Sequence, residues 1–173
     1  MKKIILLVLI MAFSFSSCEK DDICDANTST TPRLVIRFYD VNNASVAKNV
    51  TNLTIIGEGK TTGITFSGST LINGSTVSIP LQTDFDATTF RFILNFGNAN
   101  SAVINEDIIK FNYTRKNEFV SRACGFKTFF TLDPITPFVH TDVATADGKW
   151  INAIAVKTNT IETENETHLE IYF

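Results

Sequence analysis

Three cysteines carry most of the chemistry this chain offers: Cys18, Cys24 and Cys124. A thiol can be acylated, can pair in a disulfide, or can attack as a nucleophile when a cation or base lowers its pKa. Arg122 stands near Cys124 in sequence, but no histidine does. Other candidate groups are sparse. His140, Asp142 and Asp147 bring imidazole and carboxylate donors into one loop. Zinc sites take three or four ligands, and this loop has one histidine and no cysteine, so the expectation is a polar loop turning at Asp147-Gly148, with no metal. His168 is expected on the surface, opposite Leu169. Asp84 and Asp86 flank Phe85, where a solvated turn is expected rather than a carboxylate pair. Gly57-Glu58-Gly59-Lys60-Thr61 has the ending of a phosphate loop, but Thr54 stands where that loop needs glycine. The strand-like Ile64-Thr65-Phe66 follows, so no helix N-terminus is on hand to hold a phosphate. A hairpin turn is expected there. No serine lies in a nucleophile elbow. No catalytic residue, metal ligand or cofactor is therefore assigned.

Cys18 ends a run with its own logic. Lys2-Lys3 precede an apolar stretch, Ile4 to Phe15, and then Ser16-Ser17-Cys18. The stretch is too short to span a bilayer, which takes about 20 apolar residues, and matches the core of a secretion signal. Phe15-Ser16-Ser17-Cys18 resembles the bacterial lipobox, with phenylalanine in place of the usual leucine-like residue. In such a sequence the cysteine becomes an acylated N-terminus, and several chains together anchor stably. The alternative is a plain secreted protein whose Cys18 stays free or pairs. Glu19-Lys20-Asp21-Asp22 follows. Lys20, Asp21 and Asp22 are similar to the signal that sends lipoproteins of Bacteroidota-type bacteria to the cell surface; the alternative is a solvated acidic tether.

Removing residues 1–17 from 173 leaves 156, and the formal charge of −3 becomes −5 once Lys2 and Lys3 leave. That is about one domain, long enough to bury a core. The expected organisation is a signal at 1–17, a lipidated N-terminus and tether at 18–31, and one β-rich domain at 32–173. Basic residues are scattered singly, so nucleic acid is not an expected partner. If acylation takes the thiol of Cys18, Cys24 and Cys124 remain in an oxidising compartment and are expected to pair. The rival reading makes Cys124 a reactive thiol.

The elements that must position these residues are strands. Leu34, Ile36 and Phe38 alternate with Val35, Arg37 and Tyr39; Phe90, Phe92, Leu94 and Phe96 alternate with Arg91, Ile93 and Asn95. The same period of two runs through Ile109 to Tyr113, Phe126 to Leu132 and Leu169 to Phe173. Further strands are expected at Asn52–Gly57, Thr76–Leu81, Glu118–Ala123 and Ile151–Lys157. Loops are expected at Gly57–Gly63, Ser67–Ser75, Gly97–Asn105 and Asp133–Lys149. No segment after the signal has a helical period. The pattern predicts an all-β fold, an antiparallel β-sandwich or a small soluble β-barrel. The 15 phenylalanines are expected to fill its core. Glu162 to Glu166 reads as a charged hairpin tip. The closing Leu169-Glu170-Ile171-Tyr172-Phe173 looks like the last strand of an outer-membrane barrel. Short strands, with three tyrosines and one tryptophan for two aromatic girdles, argue against a spanning barrel.

Cys18 to Cys24, Arg33 to Asp40 and Val120 to Lys127, above all Ser121-Arg122-Ala123-Cys124-Gly125-Phe126, resemble a family of small Bacteroidota outer-membrane lipoproteins catalogued as a domain of unknown function. The resemblance covers essentially the whole mature chain. It implies lipidation and supports the Cys24–Cys124 pairing, and it brings no activity and no catalytic residues. The expected function is that of an envelope lipoprotein, anchored in the outer membrane and facing the cell surface or, alternatively, the periplasm. It would act as a non-catalytic binding or accessory module, with an outer-membrane barrel as candidate partner. The alternatives are a glycan-binding module using exposed Trp150 or Tyr39, and a hydrolase with a site assembled from loops.

Overall fold

The computed structural model describes residues 23–28, 30–143 and 147–173. Residues 1–22, with Cys18, Lys20, Asp21 and Asp22, lie outside the described residues. The described chain forms twelve strands: β1 (Leu34–Asp40), β2 (Asn43–Ala47), β3 (Val50–Gly57), β4 (Ile72–Gly74), β5 (Thr76–Ile79), β6 (Ala87–Leu94), β7 (Asn105–Ser121), β8 (Gly125–Leu132), β9 (Phe138–Asp142), β10 (Ala153–Val156), β11 (Thr160–Ile161) and β12 (Leu169–Tyr172). One short 3-10 helix, Ser101–Val103, interrupts them. No α-helix occurs among the described residues.

Alternation dictates which side chains go inside. Leu34, Ile36 and Phe38 of β1 are fully buried, while Arg37 between them is exposed. Phe90 and Phe92 of β6 are buried around exposed Arg91. Ile109, Phe111 and Tyr113 of β7 face the same interior, as do Phe130 and Leu132 of β8 and Leu169 and Ile171 of β12. Branched and aromatic side chains at every second position suit a pleated surface with one buried face.

The strands form two sheets. One runs β10-β12-β1-β2, with β5 also paired to β1. β1 and β12 are parallel, with Ile36 opposite Leu169 and Phe38 opposite Ile171. Strand β5 pairs along Leu34 to Arg37, and β2 takes over at Tyr39 and Asp40. The other sheet runs β11-β8-β7-β6-β3-β4, with β9 also on β7, and its described pairings are antiparallel. The inner faces of both sheets contribute to one apolar core. The fold is thus an antiparallel-rich β-sandwich, with no closed barrel. β12, the strand that resembles a barrel terminus, is an interior strand held between β10 and β1.

The chain divides into two compact units. The larger, Thr31–Asn117 with Thr128–Phe173, holds the sandwich core. The smaller holds Glu118–Lys127 and the described residues between 23 and 30.

Several local expectations are corrected. Ile109–Tyr113 and Glu118–Ser121 belong to one 17-residue strand, β7, because Thr114-Arg115-Lys116-Asn117 contains no glycine or proline to break it, while Arg122 and Ala123 of the expected second strand lie in the turn that follows. The expected loop at Asp133–Lys149 contains β9, whose ladder to β7 pairs Ile109 with His140 and Phe111 with Phe138. Strand β4 lies within the expected loop Ser67–Ser75. The acidic run Glu162 to Glu166 is not a hairpin tip: it joins β11 in one sheet to β12 in the other. Two of its carboxylates accept hydrogen bonds, Glu164 from the Arg33 N–H and Glu166 from the Thr158 hydroxyl. Among the described phenylalanines, Phe85, Phe96, Phe119 and Phe126 are exposed rather than core.

The segment after β3 is a turn, as its glycines predict, with the Lys60 N–H donating to the Gly57 carbonyl at 3.0 Å. It then folds back over the outer face of β3. The Ile64 N–H donates to the Ile55 carbonyl at 2.8 Å, and the Thr54 hydroxyl to the Thr70 carbonyl at 3.2 Å. Gly63 permits this close approach: a Cβ there would stand 2.7 Å from the Thr54 methyl.

Candidate functional site

The smaller unit contains the cysteine chemistry. Cys24 and Cys124 form a disulfide with their Cα atoms 4.9 Å apart. Cys124 sits where β7 turns into β8. Its N–H donates to the Ser121 hydroxyl at 3.0 Å, and Gly125 follows at φ +70°, a conformation open to glycine. Neither sulfur is a free nucleophile while the bridge is intact. Phe119 and Phe126 stand on the flanking strand ends with ring centroids 5.4 Å apart, edge to face. They are 57% and 67% exposed, and Ile23 beside Cys24 is 83% exposed. Lys127 and Glu118 form an ion pair at 3.1 Å.

In the larger unit, His140 does not gather Asp142 and Asp147 around a metal. Strand β9 carries its ring to Asp107 on β7, with Nε2 2.9 Å from Oδ2. Asp107 is fully buried and also accepts the Ile151 N–H at 2.9 Å. Burial pushes its carboxyl pKa above the usual value, opposed by the bonds from Ile151 and His140. Asp142 instead accepts the N–H groups of Val143 and Gly148. Among the described residues, no group of three or more His, Cys, Asp or Glu side chains could hold a metal. Asp107 escaped the sequence reading, although a signal was present: it is in phase with Ile109, Phe111 and Tyr113, the inward face of β7. The arrangement ties the chain entering β10 to the centre of the second sheet. Asp107→Ala should therefore destabilise by about 1–3 kcal/mol, the cost of leaving the buried Ile151 N–H unpaired. Asp107→Asn, which keeps an acceptor oxygen, should lose less; urea unfolding of both variants measures the difference.

His168 is fully buried, not on the surface. Its Nδ1 accepts the Val35 N–H at 2.9 Å, so the ring takes a place in the β1–β12 ladder. Trp150 is half-buried, its indole N–H donating to the Phe92 carbonyl at 3.1 Å and its ring meeting Phe173 edge-on. That removes it as an exposed sugar platform. Tyr39 stacks on Tyr172, with the Arg37 guanidinium 5.4 Å from its ring centre.

A cleft of about 390 Å³ opens where the segment after β3 approaches the chain after β5. Ile64, Leu81 and Phe90 give it an apolar wall, and Glu58, Lys60 and Gln82 supply polar groups. Thr88 lines it and belongs to a polar network: its hydroxyl accepts the Gln82 N–H at 2.9 Å and lies 2.5 Å from the Tyr113 hydroxyl, which donates to the Gln82 carbonyl. Burial pushes the Tyr113 pKa up. A neighbouring groove of about 330 Å³ shares Glu58 and Gln82 and adds Phe85, Thr89 and Lys110. Phe85 is 64% exposed. Asp86 beside it is held by Arg115 Nε at 2.7 Å and is a structural acceptor, not half of a carboxylate pair. Volume and lining suit a small ligand with one apolar face and several hydroxyls. Sequence reading missed this site because its walls come from segments far apart in the chain.

No curated protein and no solved structure matches this chain. A family pattern does, over residues 52–173. The match takes in Cys124, Asp107, His140 and the residues lining the cleft, and leaves Cys18, Cys24 and β1 outside it. With well over half of its length matched, the chain belongs to a family of unknown function (DUF6452).

Proposed function

We propose that this protein is an outer-membrane lipoprotein of a Bacteroidota-type cell, anchored through acylated Cys18 and facing the cell surface. It acts as a non-catalytic binding or accessory module, with an outer-membrane β-barrel as partner. The observation that carries the reading is the Cys24–Cys124 bridge. Disulfides persist in exported proteins, not in a reducing cytosol. Cys24 is also only six positions beyond Cys18, so the bridge would put the folded chain on a short leash to its anchor.

The test has three readouts. Fatty-acid labelling of cells should mark the wild-type protein and not Cys18→Ala, which should leave the membrane fraction. External protease should cut the protein on intact cells; protection there, with cleavage after lysis, would put it on the periplasmic face. Mild detergent extraction should co-purify a β-barrel protein, and its absence from cross-linked membranes would overturn the accessory role. Turnover on a panel of esters and glycosides would overturn the non-catalytic reading in favour of a loop-assembled hydrolase.

One observation favours a glycan-binding reading. Phe85 offers an exposed aromatic face beside Gln82, Lys110 and Glu58, the mixture a sugar ring uses. Retardation on glycan-affinity gels, lost in Phe85→Ala, would support it over the barrel partner.

A further inference from the structure

The disulfide-bound turn between β7 and β8 exposes more apolar surface than its size warrants. Phe119 and Phe126 form an edge-to-face pair and are 57% and 67% exposed, and Ile23 is 83% exposed. All three belong to the smaller unit. Aromatic side chains grouped in water on a short turn are costly, and such patches mark surfaces that something covers. The cover can be identified from the length of chain between the turn and the anchor. Six positions separate Cys18 from Cys24, a span of at most about 20–22 Å when fully extended. The bridge adds 4.9 Å between Cα atoms to Cys124. Phe126 is two positions beyond Cys124 and Phe119 five before it. Cys124 therefore stays within about 25–27 Å of Cys18, and so of a bilayer holding its acyl chains. A protein partner would have to be brought there; the lipid is there already. Arg122, exposed on the same turn, has a long stem and a planar fork suited to lipid phosphate.

We infer that the Phe119–Phe126 turn is a second membrane contact, inserting its aromatic pair into the headgroup–acyl boundary of the bilayer that holds Cys18. The inference rests on the lipid-anchored reading above. With the acyl chains as the first attachment and the turn as the second, the smaller unit is fixed in orientation at the membrane. The disulfide transmits this constraint, because it ties the tether to the turn itself rather than to the start of β1.

The test uses full-length mature protein on vesicles of phosphatidylethanolamine and phosphatidylglycerol with brominated acyl chains. Intact mass first reports whether Cys18 carries acyl groups, and flotation reports attachment. Phe126→Trp then places a fluorophore at the turn, with wild type supplying the Trp150 background. Phe119→Trp is the second probe should Phe126→Trp fail to fold. The expected result is a blue shift of the new emission, quenching by bromines near the headgroup boundary, and loss of quenching by aqueous iodide. Full iodide quenching without bromolipid quenching overturns the inference. Protection from iodide seen only in native membranes, without bromolipid quenching, overturns it in favour of a protein partner. If the mass shows no acyl group, the anchor reading fails by itself. The turn is then tested on the same vesicles through an N-terminal histidine tag held by chelator lipid, with the same two quenching outcomes.

Discussion

Exchanging Cys24 and Cys124 together for serine, or reducing the bridge in wild type, should lower stability by up to about 4.7 kcal/mol, the chain-entropy limit for a loop of about 100 residues. The bridge spans 100 positions, so β1 to β7 lie inside the loop it closes and β8 to β12 follow it. In a chain of this size roughly 2–4 °C of melting temperature accompany each kcal/mol, which sets the shift at roughly 9–19 °C at that limit. Melting followed by circular dichroism, with and without reductant, measures it. Reductant should move wild type to the midpoint of the double variant and leave the double variant unchanged. A shift below about 2 °C would mean that the bridge orders the tether and turn without constraining the unfolded sandwich. The same experiment separates the pair from Cys18, since Cys18→Ala should keep the full reductant response.

His168 provides the second large effect, and it depends on pH. The imidazole is buried and accepts the Val35 N–H at Nδ1, while the His168 N–H donates to the Val35 carbonyl at 3.0 Å. An accepting Nδ1 requires the neutral ring. Burial holds the pKa below its usual 6.5, opposed by Glu166, the Thr163 backbone and Glu164. Below that usual value the unfolded chain binds a proton that the folded chain does not. The stabilisation is therefore complete above about 6.5 and is lost as pH falls through the lowered folded value. The melting temperature of wild type should fall on acidification from about pH 7 to about pH 5. His168→Gln should flatten that slope, because its side-chain carbonyl can still accept from Val35 and does not titrate. His168→Ala should cost about 1–3 kcal/mol at neutral pH for the unpaired Val35 N–H alone, with a further penalty for the vacated volume. An unchanged acid slope in His168→Gln would show that His168 does not carry the sensitivity.

The two effects differ in how local their causes are. The Cys24–Cys124 pair is the expectation once Cys18 is set aside as acylated, and the bridge is present. Period-two alternation puts His168 on the surface, opposite Leu169, because alternation assumes one wet face. That assumption fails where the chain passes between sheets. Glu162 to Glu166 is that crossing, and His168 lies at its end, covered on the face that period-two reasoning leaves to solvent. Val35, Ile56 and Ile93 break the alternation in the same way, each buried on a nominally outward face. At β3 the cover is the segment that Gly63 allows to lie against Thr54. The reverse error occurred at Phe119 and Phe126. Both satisfy the strand pattern that predicts core side chains, yet they are exposed at the end of β7 and the start of β8, in the smaller unit.

That the chain is built of strands, and which faces of its long strands turn inward, can be read from the order of residues alone; the Cys24–Cys124 pair can be read from it only on the condition that Cys18 is acylated, and the bridge itself is seen in the structure. The strands and their faces depend on local information, side-chain period and turn residues. That Asp107 meets His140, that β12 runs parallel to β1 in the middle of a sheet, and that a cleft opens beneath the segment after β3 depend on how the chain packs in three dimensions. Those outcomes join residues 33, 133 and up to 33 positions apart: His140 to Asp107, His168 to Val35, and Phe90 to Gly57. They depend on how sheets stack and chains cross, which no period of two can encode. The same holds for the exposed turn beside Cys124. Its phenylalanines have the pattern of strand residues, but their exposure became visible only with the strands assembled.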